Sequence, residues 1–284
     1  MGGLLRTTLL MGVLTGLLML VGGIVGLVTD ISMEYALTAA LMMAIMLNFF
    51  MYFFADRWVL AMYRAKIVSP TEEPRLHQIV ERLTAAAKLP KPKVAVVPLD
   101  VPNAFATGRS PSHSVVAVTK GALELLNDEE LEGVLGHELA HVKNRDMLIN
   151  TLAAIIGAAI TYSLYFSLYA PRRSERDSRA GAIALLGFLL VPFAVMLVRL
   201  AISRGREYEA DRGGANISGK PLALASALRK LESAARVKPL TLGNPSTSHL
   251  FIVNPFRGMK LLSLFSTHPP AEERIRRLEA LAKS

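Results

Sequence analysis

One group of residues has the spacing of a hydrolytic metal site: His137-Glu138-Leu139-Ala140-His141. In a helix, side chains four residues apart lie on one face, so both imidazoles could bind the same metal ion. Glu138, next to the first histidine, would reach a metal-bound water rather than the metal. Zinc lowers the pKa of such a water to about 7, and a neighbouring carboxylate can accept its proton. The pattern predicts a zinc hydrolase, against the alternative of two solvent-facing histidines.

The composition restricts which residues could complete this site. The chain of 284 residues contains no cysteine, which excludes disulfides, thiolate ligands and cysteine nucleophiles. The ligands must therefore be histidines and carboxylates, a set that suits zinc. A catalytic zinc also needs a third protein ligand and an open position for water. The candidates are the other four histidines and the carboxylates that follow the last long apolar stretch, after residue 202.

Among those carboxylates, Glu207 and Asp211 are four residues apart. On one helix, Glu207 could bind the metal while Asp211 accepts a hydrogen bond from a metal-bound imidazole. The alternative is an exposed turn of a charged helix. The spacing alone leaves the third ligand open.

Four apolar blocks are each long enough to cross the roughly 30 Å hydrocarbon core of a bilayer as a helix. They cover Leu4 to Val28, Tyr35 to Ala55, Met147 to Ala170, and Ala180 to Ile202. A short linker joins the first two, which predicts a tight helical hairpin. The alternative for the first block is a signal peptide, but its apolar part is long for one and no cleavage site is evident, so we expect a membrane span.

The distribution of charge predicts how these blocks are oriented. Basic residues flank the first hairpin and its loop has none, so the positive-inside rule predicts that both ends are cytoplasmic. The loop of the second pair, Pro171 to Arg179, carries four arginines and contradicts the rule. That pair could span, lie in the interface or pack partly against the soluble domain; we favour spanning. The net charge of +9 is concentrated after the fourth block, which is typical of a face against anionic lipid. No motif predicts nucleic-acid binding.

The polar region between the hairpins has a mixed pattern. Helical periodicity covers Glu72 to Lys88, and valine-rich runs predict strands at Lys93 to Pro98 and Ser114 to Thr119. The segment between the strands, Val101 to Ser112, is typical of a loop or an irregular edge strand. Asn127 with Glu130 matches a capping box and predicts the start of the helix that carries His137.

Together these features resemble the HtpX-type membrane metallopeptidases, whose superfamily includes the CAAX prenyl endopeptidases. The resemblance extends from the first apolar block to the C-terminus and contains four separated motifs in the family's order. They are Asn103 to Gly108, His137 to Asp146, Ser203 to Asp211, and Ser266 to Ile275.

The resemblance assigns roles that the spacing left open. It implies one zinc ion per chain, with Glu207 as the third ligand, Asp211 behind a zinc-bound imidazole and Glu138 as the catalytic carboxylate. It implies that His268, otherwise a loop histidine, lies near the zinc, where it could stabilise an oxyanion. It also implies an edge strand that binds an extended peptide substrate. That strand contains Asn103, Ala104, Phe105 and Ala106.

The expected fold is a mainly α-helical integral membrane protein. It has four transmembrane or membrane-associated helices and a zincin-like, gluzincin-type α+β catalytic domain with a small sheet. The expected division is a transmembrane hairpin at 1–56, the first part of a cytoplasmic catalytic domain at 57–146, a second apolar hairpin at 147–202, and the second part of the catalytic domain at 203–284.

The expected function is zinc-dependent endoproteolysis at the cytoplasmic face of the cell (inner or plasma) membrane. The partners would be the lipid bilayer and polypeptide substrates, namely membrane or misfolded proteins handled in stress response and quality control. One alternative is a CAAX-type prenyl-protein endopeptidase, but that resemblance implies a larger intramembrane chamber than four blocks provide. Another is a non-enzymatic metal-binding membrane protein such as a transporter or scaffold. Transporters usually place polar groups inside their spans, and these blocks contain few.

Overall fold

The computed structural model describes residues 3–152, 203–237, 250–253 and 269–283. These residues form a mostly helical protein with one small mixed sheet. The fourth apolar block and most of the third lie outside the described residues, so their prediction as spans stays a prediction.

The first two apolar blocks form an antiparallel hairpin, as predicted. Helix α1 covers Gly3–Val28 and helix α2 covers Met33–Met62. The side chain of Asn48 in α2 donates a hydrogen bond of 2.9 Å to Thr15 Oγ1 in α1. By length and composition both helices could cross a membrane. Most large apolar side chains of α2 and several of α1 are exposed, which suits a lipid environment.

Helix α2 is longer than the predicted block, since it continues to Met62. At 1.5 Å per residue it is about 45 Å long, more than the roughly 30 Å of a hydrocarbon core. Its last turns pack on the sheet, where Val59 is fully buried. The ring of Tyr63, just after the helix, lies 5.7 Å from that of Phe105. The membrane hairpin and the sheet are therefore joined by one continuous helix.

The sheet has four strands in the order β1-β2-β4-β3. Strands β2 and β4 are parallel, and the other two pairs are antiparallel. The strands cover Lys66–Ile67, Lys93–Val97, Ala104–Ser110 and His113–Thr119. The predictions of β2 and β4 are confirmed. The segment between them contains the edge strand β3, irregular between Gly108 and Ser110 as its glycine and prolines indicated. Strand β1 was not predicted, because two residues carry no periodic pattern.

Two helices cover the face of the sheet opposite α2. They are α3, Pro74–Ala87, and α5, Asp128–Asn144, with the short α4, Lys120–Leu125, before α5. Leu76 and Val80 of α3 and Leu131 and Leu135 of α5 are buried against the strands. Because both faces are covered, the strands are almost continuously apolar.

Local interactions set both ends of the helix that carries the histidine motif. Asn127 and Glu130 form both hydrogen bonds of the predicted capping box. The helix ends with Arg145 in the left-handed region, at φ 59°. Residues 147–152 are again helical, and Met147 and Leu152 are buried. The first residues of the third apolar block are thus part of the folded core.

Two further helices pack against α5, namely α6, Arg204–Ser218, and α7, Pro221–Val237, and a third, α8, Ala271–Leu281, packs against α6 and α7. Helices α5 and α6 cross at Gly136 and Gly214. A Cβ added to Gly214 would lie 2.5 Å from the backbone nitrogen of His137, a distance that real contacts do not reach. Glycine at this crossing lets the two backbones approach closely, and the close approach brings the first turn of α6 beside the histidines of α5.

Candidate metal centre

Three buried side chains converge where α5 and α6 meet. His137 and His141 belong to α5 and Glu207 to α6. The histidine Nε2 atoms lie 3.8 and 3.6 Å from the two carboxylate oxygens of Glu207. One donor atom from each residue can be chosen so that all three lie within 4.8 Å of one another. Ligand atoms about 2.0–2.2 Å from one zinc ion lie within about 4 Å of each other, so small side-chain movements would allow these three to share an ion.

The charges around this cluster also suit a divalent cation. Four carboxylates and two guanidinium groups are buried near it, among the residues that the structure describes. They belong to Glu138, Asp146, Glu207, Asp211, Arg206 and Arg274. If all are ionised, the group has an excess of two negative charges. Buried charge is costly unless it is paired, and a divalent ion would balance the excess.

His137 contacts Asp211, the carboxylate for which the sequence predicted a contact with a metal-bound imidazole. Its Nδ1 lies 2.9 Å from Asp211 Oδ1. Burial alone would raise the pKa of Asp211, but Arg274 and His137 hold that pKa well below its usual range. The ionised carboxylate can accept the Nδ1 proton, which leaves the Nε2 lone pair directed at the cluster.

The surroundings of His141 favour positive charge. Burial lowers the pKa of its imidazole, but a hydrogen bond to Asp146 and the charges of Glu207 and Glu138 raise it to about 9. The position therefore attracts either a proton or a metal ion. The Nδ1 atom lies 3.4 Å from Asp146 Oδ2, and Nε2 lies on the side of Glu207.

Glu138 lies beside the cluster but is held by a different element. Its Oε2 accepts a hydrogen bond of 2.9 Å from the backbone N–H of Ala106 in β3. Burial raises the pKa of the carboxyl, Glu207 raises it further, and the two imidazoles act in the opposite direction. A carboxylate with a raised pKa is better suited to transfer a proton near neutral pH. A cavity of about 20 Å³ between Glu138 and the cluster has room for about one water.

The predicted substrate strand lies along this cavity. Ala104, Phe105 and Ala106 are buried residues of β3, and β3 is at the edge of the sheet. Among the described residues β3 pairs only with β4, and the Ala106 N–H that meets Glu138 lies on the other edge of the strand.

The side chain of Asn103 is used differently. It donates to Leu250 O at 3.1 Å and accepts from Ile252 N at 3.0 Å. It thereby holds the segment 250–253, of which Leu250, Phe251 and Ile252 line the same cavity. Because its side chain is bonded to this segment, Asn103 would contribute to substrate binding by holding the segment in place or through its own backbone.

Comparison with known proteins identifies the family. Residues 70–282 match the sequence model of peptidase family M48. The chain belongs to peptidase family M48. The protease HtpX homologue of Pyrococcus furiosus is 52% identical over 284 residues, covering 98% of this chain and 95% of the relative. The homologue of Thermococcus kodakarensis is 50% identical and covers 98% of this chain and 96% of its own length. The resemblance to HtpX proteases is confirmed.

A solved structure supports the same fold for this M48 peptidase. The crystal structure of S. mikatae Ste24p superposes with a TM-score of 0.51 at 17% sequence identity. The match covers 93% of this chain but 62% of Ste24p, so this chain spans less than two thirds of that protein. The family and the apolar hairpin together make the protein a membrane metalloendopeptidase with a mostly helical fold and a small mixed sheet.

His268, the remaining predicted site residue of this M48 chain, lies outside the described residues, and its role stays a prediction. Three residues of the centre were given no role from sequence: Asp146, Arg206 and Arg274. Most charged side chains on helices such as α6 and α8 face solvent. The sequence therefore does not show which single charged residue points into the core. The one available signal is in α8, where Arg274 lies on the same helical face as the apolar Leu278, one turn later.

Proposed function

We propose that this M48 peptidase is a zinc-dependent endopeptidase that cleaves membrane or misfolded proteins at the cytoplasmic face of the cell membrane. The observation that carries the proposal is the position of Glu138, between the histidine–carboxylate cluster and the open edge of β3. A base, a metal-binding group and a strand edge thus lie around one cavity.

Zinc is the metal that this donor set favours. His137, His141 and Glu207 would hold it, since two imidazoles and one carboxylate form a common catalytic zinc site and the chain offers no thiolate. A zinc ion bound here would polarise the scissile carbonyl and activate a water. Glu138 would accept the proton of that water and pass it to the leaving amine.

The substrate would bind as an extended peptide along β3. Adding a strand to a sheet edge satisfies the peptide backbone and needs no particular side chain, so it suits substrates of varied sequence. The N–H of Ala106 is on that edge, so the pairing would set the peptide beside Glu138. We assign His268 the stabilisation of the developing oxyanion, on the basis of the family resemblance.

The proposed topology is based on the distribution of basic residues, and the continuous helix α2, which joins the first hairpin to the sheet, supports it. The two hairpins, 1–56 and 147–202, would each return the chain to the side it left, so that 57–146 and 203–284 form one cytoplasmic catalytic domain. This arrangement lets Glu207 meet His137 and His141 although an apolar hairpin separates them in sequence. A site joined to the membrane by one helix suits substrates that are themselves membrane proteins, and a role in quality control.

The deciding experiment compares purified wild-type protein with Glu138→Gln. Both should contain about one zinc ion per chain, because Glu138 handles the proton rather than the metal, and only the wild type should cleave casein. Proteolysis retained by the variant would reject the mechanism. A prenylated CAAX peptide, assayed in parallel, should be cleaved no better than casein; strong preference for it would favour the prenyl endopeptidase alternative.

Orientation can be tested separately because the chain has no cysteine. Single cysteines at Ser112, in the turn between β3 and β4, and at Ser178, in the arginine-rich loop, would be labelled in sealed vesicles. We expect cytoplasmic labelling at the first position and labelling from the opposite side at the second. Cytoplasmic labelling at Ser178 would mean that the third and fourth blocks do not span.

A further inference from the structure

Each histidine of the cluster contacts its own carboxylate, and each carboxylate contacts an arginine. His137 is paired with Asp211 and Arg274. On the other side, His141 Nδ1 lies 3.4 Å from Asp146 Oδ2, and Arg206 Nη1 lies 3.4 Å from Asp146 Oδ1. Asp146 and Arg206 are thus arranged around His141 as Asp211 and Arg274 are around His137, although they come from different elements.

The turn after α5 creates this second contact. Arg145 adopts a left-handed conformation, and the N–H of Asp146 then bonds the carbonyl of His141 at 3.0 Å. This geometry folds the chain back at the helix end, so that Asp146 returns beside a residue five positions earlier. Both Asp146 and Arg206 are buried, at 2% and 5% exposure, so their interaction is weakly screened.

We propose that Asp146 is a positioning residue for His141, held in place by Arg206. A carboxylate that accepts the Nδ1 proton fixes the tautomer and the ring orientation, and so presents Nε2 to the metal. Arg206 directly precedes Glu207 in α6. The first turn of α6 thus supplies the third ligand and also orients the second one. The inference rests on the proposed metal site and adds a residue to it.

A purely structural role for Asp146 has to be separated from this one. Asp146 directly precedes the helix at 147–152, and its carbonyl accepts the N–H of Asn150 at 3.0 Å. Aspartate is a favourable residue at the start of a helix, and asparagine and serine are about equally favourable there. Asp146→Asn and Asp146→Ser therefore preserve the helix start, but both remove the negative charge and serine is also too short to reach the imidazole.

The test measures zinc affinity by chelator competition on the full-length protein in detergent, together with thermal unfolding of the metal-free protein. Both Asp146 variants should bind zinc about 10- to 100-fold more weakly than wild type, with the larger loss for serine. Cobalt substitution should also give an altered absorption spectrum in both, because the geometry at His141 changes. The matched control is Glu132→Gln, which alters a buried carboxylate of α5 that contacts Arg82 and Lys220 away from the metal centre. It should lower stability and leave zinc affinity unchanged.

Arg206→Gln tests whether Arg206 holds Asp146 in place. It should weaken zinc binding less than Asp146→Asn, and in the Asp146→Asn background it should cause little additional loss, because the two residues act through one contact. Zinc affinity of Asp146→Asn within about twofold of wild type would overturn the inference while leaving the proposed function intact. Wild-type protein that binds no zinc would overturn both.

Discussion

Arg274 and Asp211 form a buried two-point ion pair, with Nε–Oδ2 at 2.8 Å and Nη2–Oδ1 at 2.6 Å. The same guanidinium donates to the carbonyl of Ile252 at 2.9 Å. One side chain of α8 therefore connects α6, the segment 250–253 and, through Asp211, the imidazole of His137. The planar fork of arginine suits this task, because its donors match both carboxylate oxygens at once.

Replacing Arg274 should affect both stability and metal binding. Arg274→Gln leaves a buried carboxylate at Asp211 without its cation, a defect that costs about 3–5 kcal/mol. Arg274→Lys keeps the charge but loses the fork, so we expect a smaller loss of stability and zinc binding weakened about 10-fold. Thermal unfolding and chelator competition would measure these effects. Arg276→Gln is the control, since that side chain is 74% exposed, and it should change neither quantity. An unchanged melting temperature in Arg274→Gln would contradict the assignment.

The ligand assignment predicts different effects for three acidic residues of α6. Glu207→Ala should remove both zinc and activity, because two imidazoles alone hold a catalytic zinc poorly. Asp211→Asn should weaken zinc binding about 10- to 100-fold. Glu209→Ala should do little, since Glu209 is exposed on another face of the helix. Zinc content measured across the three variants decides the matter. Loss of zinc in Glu209→Ala with retention in Glu207→Ala would show that the assignment is wrong.

The crossing of α5 and α6 predicts a strong effect of a single methyl group. Gly214→Ala places a Cβ 2.5 Å from the backbone of His137, so the helices must separate. We expect a loss of about 1–3 kcal/mol of stability, typical of overpacking, and weaker zinc binding because Glu207 moves with α6. Gly205→Ala, in the same helix, meets nothing closer than 3.4 Å and should be neutral or slightly stabilising. Equal behaviour of the two variants in thermal unfolding would exclude a role for the close crossing.

The single tryptophan of the chain reports the depth of α2 in a bilayer. Trp58 is 66% exposed and follows the start of α2 by about 37 Å at 1.5 Å per residue. For a helix near the membrane normal, this exceeds the roughly 30 Å hydrocarbon core, so Trp58 should lie among the headgroups. Its fluorescence should be quenched more by lipids brominated near the headgroup than by lipids brominated near the chain ends.

A relocated tryptophan provides the control for depth. In the double variant Trp58→Phe, Phe49→Trp, the probe lies about 14 Å closer to the hairpin loop, inside the hydrocarbon core. The order of quenching should reverse. The same order in both proteins would mean that α2 does not cross the bilayer as proposed.

Features that depend on neighbouring residues were predictable from the sequence. The period of α5 puts His137 and His141 on one face, and the capping box of Asn127 and Glu130 fixes where that helix begins. The apolar hairpin and the central strands follow in the same way from length and composition. Each depends on hydrogen bonds or periodicity within a few residues, so no distant contact is needed to specify it.

The tertiary structure alone decided which charged residues face the metal centre. Spacing left the third ligand open, and Glu207 meets the histidines because glycines allow α5 and α6 to cross closely. Arg274 and Asp146 had no assigned role, because an inward arginine on a charged helix resembles its exposed neighbours, and because the turn at Arg145 determines what Asp146 contacts. Burying a charge is costly unless its partner is buried with it, and here the tertiary fold brings such partners together from elements far apart in sequence, so no local pattern encodes the pair.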